Sequence, residues 1–354
     1  MNNLASDILQ RLPSLAAVMC VRDEEEFLAA NLTYHYAVGV SRVYVFLDRC
    51  ADATAEIARS FPFARVISAD RDDELTQLTC YQIKCANSAL NMAREEGIDW
   101  LLHIDADEFA WGNNLPNMLS RVLARCRFGQ ESILEQVGSL PAALATIRPN
   151  TEMVLLRPKE VIPLATKGDT PFWELHYFQD GGTAPRPMLN PLNGEIRQLN
   201  KWIGHKKGKS IVRTAADVQP FSSHLWTRKQ ETAQPRFVEL PTERKGCLYH
   251  FVITSARHWQ AKYRKLAEYP AHWGNGRSVG FPTQCWKEAS VVLTERDARS
   301  YFDQWIAVRP HELFERFPGK FVVRENYVEE ILKRAGYIDT TRVDGENSWR
   351  DGKK

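Results

Sequence analysis

Three carboxylates crowd the end of one apolar run. Residues 99–109 read DWLLHIDADEF, so Asp105, Asp107 and Glu108 follow directly on Leu101, Leu102 and Ile104. Acids carried to the end of such a run can ligate a divalent cation, act as general acid or base, or simply form a solvated turn. Two aspartates one residue apart can both reach one Mg²⁺ or Mn²⁺, hard cations that leave positions for phosphate oxygens. D-x-D is also common in turns, so the spacing alone selects nothing and the setting has to decide.

That setting is an alternation of strands and helices. SLAAVMCV (14–21), RVYVFLD (42–48), ARVISAD (64–70) and DWLLHID (99–105) are short apolar runs rich in β-branched and aromatic residues, which predicts four strands. Between them, Phe27, Ala30, Tyr34 and Ala37 form one helical stripe that Gly39 ends. Asp52 is placed to cap a helix running to Ser60, and Leu78, Tyr81, Cys85, Ala89 and Met92 form a longer stripe ended by Gly97. Such alternation implies crossovers and a mainly parallel sheet, whose ligands sit beyond the carboxyl ends of the strands. All four predicted strands end in polar residues: Arg22–Asp23, Asp48, Asp70 and Asp105–Asp107. In a parallel sheet these tips share one edge and line a cleft.

The middle of the chain is less regular. Residues 115–148 are expected to be helical in two pieces, broken near Gly129 and Pro141, with a strand over 152–158. Residues 163–209, rich in Pro, Gly and Asn, are expected as long loops that cover or form a site. Short strands are expected at 209–213 and 247–253, a basic amphipathic helix from Ser255 to Ala267, aromatic-rich helices to about Gly336, and a polar, frayed tail from Asp339.

Composition excludes several classes. The 354 residues are 44% hydrophobic and 25% charged, with a net charge of +2, so no bulk field draws the chain to nucleic acid or anionic membrane. No apolar run reaches the roughly 18 residues of a membrane span. The first twenty residues lack the pattern of a signal peptide, and the seven scattered cysteines form no C-x-x-C pair. The expected location is cytoplasmic, with the basic helix 255–267 a candidate for contact with the inner membrane surface or an anionic acceptor, or else an ordinary solvated face.

The ordered set AVMCVRDEEEFLAANLTYHYAVGVSRVYVFLD, LTCYQIKCANSALNMA, WLLHIDADEF, GKSIVR…SSHLW and LYHFVITS resembles glycosyltransferases of the GT-A fold, notably the family 2-like bacterial enzymes and the related family 92. The resemblance covers roughly residues 14–265, and RDEEEFL together with HIDADEF is its most specific part. It implies an α/β fold of the GT-A type with a mixed sheet: a transferase domain over 14–254 with a helical insertion at 115–150, a helical extension over 255–338 and a tail over 339–354. It further implies Mn²⁺ or Mg²⁺ on Asp105 and Asp107, Glu108 as a further or supporting ligand, and a nucleotide-sugar donor, a UDP-sugar in the first instance. Cys20, Arg22 and Glu24 would lie against base and ribose, joined by Asp48 and Asp70 from the next two tips and by Lys84 and Asn87 from the following helix. A histidine far downstream would complete the metal shell, His224 being favoured slightly over His250. Lys209 and Arg213 would meet phosphate or acceptor; GKSIVR is not a phosphate loop, since position 203 is Ile.

Several of these residues have plain structural alternatives. Arg22 can pair with Glu25 or Glu26, Glu24–Glu26 suit a helix start, Lys84 and Asn87 suit an exposed face, and a lone histidine suits a core. An inverting transferase needs a carboxylate base to deprotonate its acceptor. Glu174 is the first candidate, before Asp169 and Asp180, with Phe172, Trp173 and Trp202 available to stack on sugar rings. The implied activity is transfer of a sugar to a hydroxyl on a glycan or glycolipid. The alternatives are a D-x-D phosphohydrolase or phosphotransferase, which would want the motif after the first strand, and a non-catalytic carbohydrate- or nucleotide-binding module. No basic stripe with interleaved aromatics points to nucleic acid, apart from RHWQAKYRK at 257–265.

Overall fold

The computed structural model describes residues 12–68, 78–112, 139–165, 170–180, 186–199, 208–229, 235–240, 246–269, 280–313 and 322–338. In chain order the elements are β1 (Leu15–Val21), α1 (Leu28–Ala37), β2 (Arg42–Leu47), α2 (Thr54–Ser60), β3 (Ala64–Ser68), α3 (Leu78–Glu95), β4 (Trp100–His103) and β5 (Glu108–Trp111). There follow α4 (Leu140–Ala145), β6 (Met153–Leu156), β7 (Pro158–Val161), β8 (Tyr177–Gln179), β9 (Arg186–Leu189), β10 (Ile196–Leu199), β11 (Lys209–Arg213), β12 (Val218–Pro220) and β13 (Trp226–Arg228). The rest are β14 (Phe237–Leu240), β15 (Cys247–His250), α5 (Ala256–Ala267), α6 (Phe281–Val292), α7 (Glu295–Tyr301), β16 (Val322–Arg324) and α8 (Tyr327–Arg334).

The fold is the mixed α/β class expected. Seven strands form the larger sheet in the order β14-β6-β11-β4-β1-β2-β3. β1, β2, β3 and β4 run parallel, and β11 is antiparallel to both β4 and β6. The carboxyl ends of β1, β2 and β4 therefore share one edge, as the strand alternation predicts. The period of two explains how one apolar run is buried on both sides. In β1, Leu15, Ala17, Met19 and Val21 face a core shared with α1 and α8, whereas Ala16 and Val18 face a second core against α3.

A smaller sheet, β16-β8-β7-β15-β5, lies beside the first. β4 stops at His103, two residues short of the expected end, and the chain turns through Ile104–Asp107 into β5 of the other sheet. The acidic turn is thus the crossing between sheets. A third core joins α5, α6 and α7 through Trp259, Tyr263, Trp286 and Tyr301.

Other expectations are corrected. The segment expected as loops contains β8 and the β9–β10 antiparallel hairpin. The region expected as wholly helical contains β16, which pairs with β8, and α8 returns Val328, Ile331 and Leu332 to the core behind β1. Pro141 opens a helix instead of breaking one: it stands in the first turn of α4, where its missing N–H costs nothing, behind an N-cap in which Ser139 accepts from Ala142 N–H. The first helical piece of 115–148, the polar tail, Asp70, Asp169 and Trp202 lie outside the described residues.

One glycine is fixed by space. A Cβ at Gly208 would stand 1.5 Å from the carbonyl oxygen of Leu156, so only glycine lets β11 enter beside β6.

Candidate functional site

The D-x-D turn is held from three sides. Beneath it, Asn31 of α1 is fully buried and its Nδ2 donates to the carbonyls of Glu108 at 2.7 Å, Ala106 at 2.9 Å and Asp105 at 3.4 Å. His35, one turn later, contacts Asn31 Oδ1 through Nδ1 and accepts from Ala110 N–H through Nε2. Burial pulls His35 down to about 4, which keeps the ring neutral for this relay. Glu108 closes the turn from within, its Oε2 accepting from Asp105 N–H at 2.9 Å. That bond draws the turn closed on itself. Burial pushes the Glu108 carboxyl up to about 7, against the pull of Lys209.

Asp105 is engaged by protein on both oxygens. Oδ2 accepts from Lys209 Nζ at 2.7 Å and Oδ1 from Gln82 Nε2 at 3.4 Å. Lys209 is wholly buried, donates also to the Ser223 carbonyl at 3.2 Å, and stands 3.5 Å from Glu108. Burial pushes Asp105 up, and Lys209 more than reverses it, holding the carboxyl below its usual range.

Asp107 faces the other way. Its Oδ2 accepts from Lys262 Nζ at 2.5 Å and lies 3.6 Å from His250 Nε2, while its carbonyl accepts from Phe251 N–H. The other ring nitrogen of His250, Nδ1, is 2.8 Å from Glu160 Oε2. This is a carboxylate–histidine pair of the kind that orients metal ligands, with Nε2 turned to an aspartate. Burial would lower the His250 imidazole, but Glu160 and Asp107 more than reverse it and hold the ring charged well above its usual range. Once Nε2 gives up its proton, that nitrogen and one carboxylate oxygen could serve Mn²⁺ or Mg²⁺ that takes its other ligands from phosphate and water. Among the described residues no group of three or more His, Cys, Asp or Glu is arranged to hold a metal.

The neighbouring strand tips complete the edge. Asp23 and Arg49, at the ends of β1 and β2, adopt left-handed backbone with φ of 52° and 50°, uncommon for residues with a side chain. Asp48 is buried, and Tyr269 Oη stands 3.4 Å from its Oδ2 and 3.5 Å from Arg22 Nη1. Arg22 pairs with Glu268 at 2.5 Å rather than with Glu25 or Glu26. Lys265 donates to the carbonyls of Arg22 and Asp23 and stands 3.8 Å from Glu24. Burial, with Asp107 and Asp105 close by, pushes Glu24 up to about 8 against the pull of Lys265. Cys20, at the end of β1, lies against Cys85 of α3.

The structure brings together Cys20, Arg22, Glu24, Asp48, Asp105, Asp107, Lys209 and His250. It separates others. Of the two histidines it is His250 that meets Asp107; His224 Nδ1 is 3.2 Å from the Gly208 carbonyl, and its own carbonyl accepts from Ser210. Lys84 and Asn87 are exposed on α3, and Gln82, on the buried side of the same helix, reaches Asp105 instead. Arg213 stacks over the Trp100 ring and donates to the Thr151 carbonyl. Glu174 is exposed at the end of a single 3-10 turn. Phe172 of that turn is core, packed on Phe27, Phe109 and Phe251, and Trp173 packs on Tyr337. Asp180 stands 3.9 Å from Lys159, whose side chain projects from the opposite face of β7 to that of Glu160.

Asn31, Gln82, Glu160, Lys262, Lys265 and Tyr269 were not foreseen. Asn31 carries a local signal, a polar residue between Ala30 and Tyr34 on an apolar stripe, and Lys262 and Lys265 belong to the basic helix that the sequence shows without showing what it meets. The basic helix α5 turns Lys262 and Lys265 into the acidic edge, while Trp259 and Tyr263 enter the third core. Among the described residues no helix is long and apolar enough to cross a membrane.

No family model matches the chain, and no curated protein matches it. Solved structures do. Mannosyl-3-phosphoglycerate synthase from Rubrobacter xylanophilus is 15% identical over 60% of this chain and 57% of its own, with a TM-score of 0.29. Glucosyl-3-phosphoglycerate synthase from Mycobacterium tuberculosis, in complex with phosphoglyceric acid, is 13% identical over 50% and 51%, with a TM-score of 0.25. A mycobacterial protein is 12% identical over 78% and 84%, with a TM-score of 0.32. This chain thus spans just over half the length of the first two. Likeness this slight assigns no role to any residue here.

Proposed function

We propose that the protein is a divalent-cation-dependent glycosyltransferase of the GT-A type, moving a sugar from a nucleotide sugar to a hydroxyl of a glycan or glycolipid. One observation carries the reading: at the carboxyl edge of the parallel strands, Asp107 Oδ2 faces His250 Nε2 at 3.6 Å, and Glu160 fixes the ring from behind. A solvated turn has no use for that arrangement. The sequence resemblance over residues 14–265 supports the same class.

In this reading Asp107 and His250 hold Mn²⁺ or Mg²⁺, and Asp105, locked by Lys209 and Gln82, fixes the turn. A cation held there would supply charge to neutralise the donor diphosphate and ease its departure. Arg22, Asp48 and Tyr269 line the β1 and β2 tips where base and ribose would lie, in keeping with the ligand position of such sheets.

The test is a thermal-shift screen of nucleoside diphosphates and nucleotide sugars, UDP-sugars first, with and without Mn²⁺. A cation-dependent rise in Tm that disappears in Asp107→Ala and His250→Ala supports the reading. No shift with any nucleotide, or an undiminished shift in both variants, would sink it.

A further inference from the structure

Two lysines of α5 enter the acidic edge, and they are placed for different tasks. Lys265 donates to two backbone carbonyls, Arg22 at 3.1 Å and Asp23 at 2.7 Å, and so ties the helix to the tip of β1. Lys262 rests on a carboxylate. Its Nζ is 2.5 Å from Asp107 Oδ2 and 3.1 Å from the Val252 carbonyl, and its side chain is 25% exposed. The oxygen it touches is the one that faces His250 Nε2. Lys262 therefore occupies the side of Asp107 on which the two donors converge.

A cation ligated by Oδ2 would lie beside an ammonium already in contact with the same atom. Two positive charges that close repel, so Lys262 must leave Asp107 when the oxygen turns to the cation. The helix itself cannot move away cheaply: Trp259 and Tyr263 are buried, and the Tyr263 ring packs edge-on against Trp286 at 5.0 Å. The motion falls to the four-carbon stem, which keeps the ammonium at the same edge. A diphosphate arriving with the cation brings the only new negative charge to that edge.

We propose that Lys262 is a displaceable counter-ion: it holds Asp107 before the donor arrives, yields that carboxylate to the cation, and passes to the donor's terminal phosphate. This rests on the donor reading above and extends it to a residue that positions the leaving group. No bond to Lys262 forms or breaks; the ammonium exchanges one anionic partner for another and keeps its proton.

Calorimetric titration of the full chain tests this with three probes, Mn²⁺ alone, UDP with saturating Mn²⁺, and UMP with saturating Mn²⁺. Wild type, Lys262→Met and Lys262→Arg are compared, with a thermal melt of each to establish folding. The expected result for Lys262→Met is Mn²⁺ binding at least tenfold tighter without nucleotide, UDP binding at least tenfold weaker, and UMP binding unchanged. Lys262→Arg, which keeps the charge and the fold's counter-ion, restores wild-type UDP binding. Equal losses for UDP and UMP, or Mn²⁺ and UDP affinities that match wild type, overturn the proposal and leave the donor reading standing. A wild-type chain that binds Mn²⁺ but no nucleoside diphosphate overturns both.

Discussion

Lys209 and Asp105 form an ion pair at 2.7 Å in which the lysine has no exposed surface at all. The pair joins β11, which runs antiparallel to both its neighbours in the larger sheet, to the turn that leaves β4. It balances a charge that burial would otherwise expel. Replacing one partner strands the other. Lys209→Met is expected to lose about 1–3 kcal/mol, since the Asp105 carboxylate left behind is a third exposed, read by urea denaturation. Lys209→Met with Asp105→Asn should recover part of the loss. A double variant no more stable than the single one would show that packing, rather than the stranded carboxylate, sets the cost.

Asn31→Ala removes one amide that serves three carbonyls of the turn. Each buried acceptor left unpaired costs on the order of 1–3 kcal/mol, so a total of about 3 kcal/mol is expected in chemical denaturation. Asn31→Asp should be worse, since it sets a carboxylate against the same carbonyls. The donor-dependent thermal shift is expected to weaken in both variants.

Acid should weaken the fold in a definite window. His35 titrates at about 4 in the fold against 6.5 when unfolded, because burial disfavours its charged form. Between those values the unfolded chain binds a proton that the native chain does not. Its contribution is therefore complete above pH 6.5 and is lost as pH falls towards 4, by about 3 kcal/mol. His103 and His258, both pulled by burial to about 3, act in the same sense. A plot of unfolding free energy against pH for His35→Gln should fall less steeply across this window than wild type. Parallel curves would contradict the assignment.

Glu160 does not touch Asp107 in this arrangement but sets the ring that does. Glu160→Gln keeps the shape and removes the charge behind His250. The expected outcome is a 10–100-fold loss of Mn²⁺ affinity, measured by titration, beyond the loss of stability that comes from breaking the buried His250–Glu160 pair. A fall in Tm with Mn²⁺ affinity intact would make Glu160 a structural residue only.

The parts of the fold legible in the sequence are those where burial imposes a period. β1, β2 and the stripes of α1 and α3 announce themselves because both faces of the sheet are covered. β9 and β16 do not. β9 contains Pro187, and β16 is three residues long, too short to show a period. The acids of the site are legible by the same logic, since charge at the end of an apolar run demands a reason. Their partners are not. Lys209 lies 104 residues from Asp105 and Lys262 lies 155 from Asp107, and no local pattern records such a pairing. The basic face of α5 is plain in the sequence, but periodicity defines a face without saying what it meets. Membrane, solvent and an acidic cleft write the same pattern. His224 and His250 likewise both end strand-like segments, and only the pairing of β15 with β5 sets His250 opposite Glu108 and beside Asp107.

The crossing of the chain from one sheet to the other also has a consequence for synthesis. A ribosome that has just released Asp105, Asp107 and Glu108 has made none of their cationic partners, which arrive at positions 209, 250 and 262. Until then the turn holds mutually repelling acids on a half-built edge. The amino-terminal strands can collapse early, but the turn cannot settle in register until α5 has left the exit tunnel. Arrested nascent chains ending before β11 should accordingly stay protease-sensitive at Ile104–Glu108, and chains extending well past Ala267 should not.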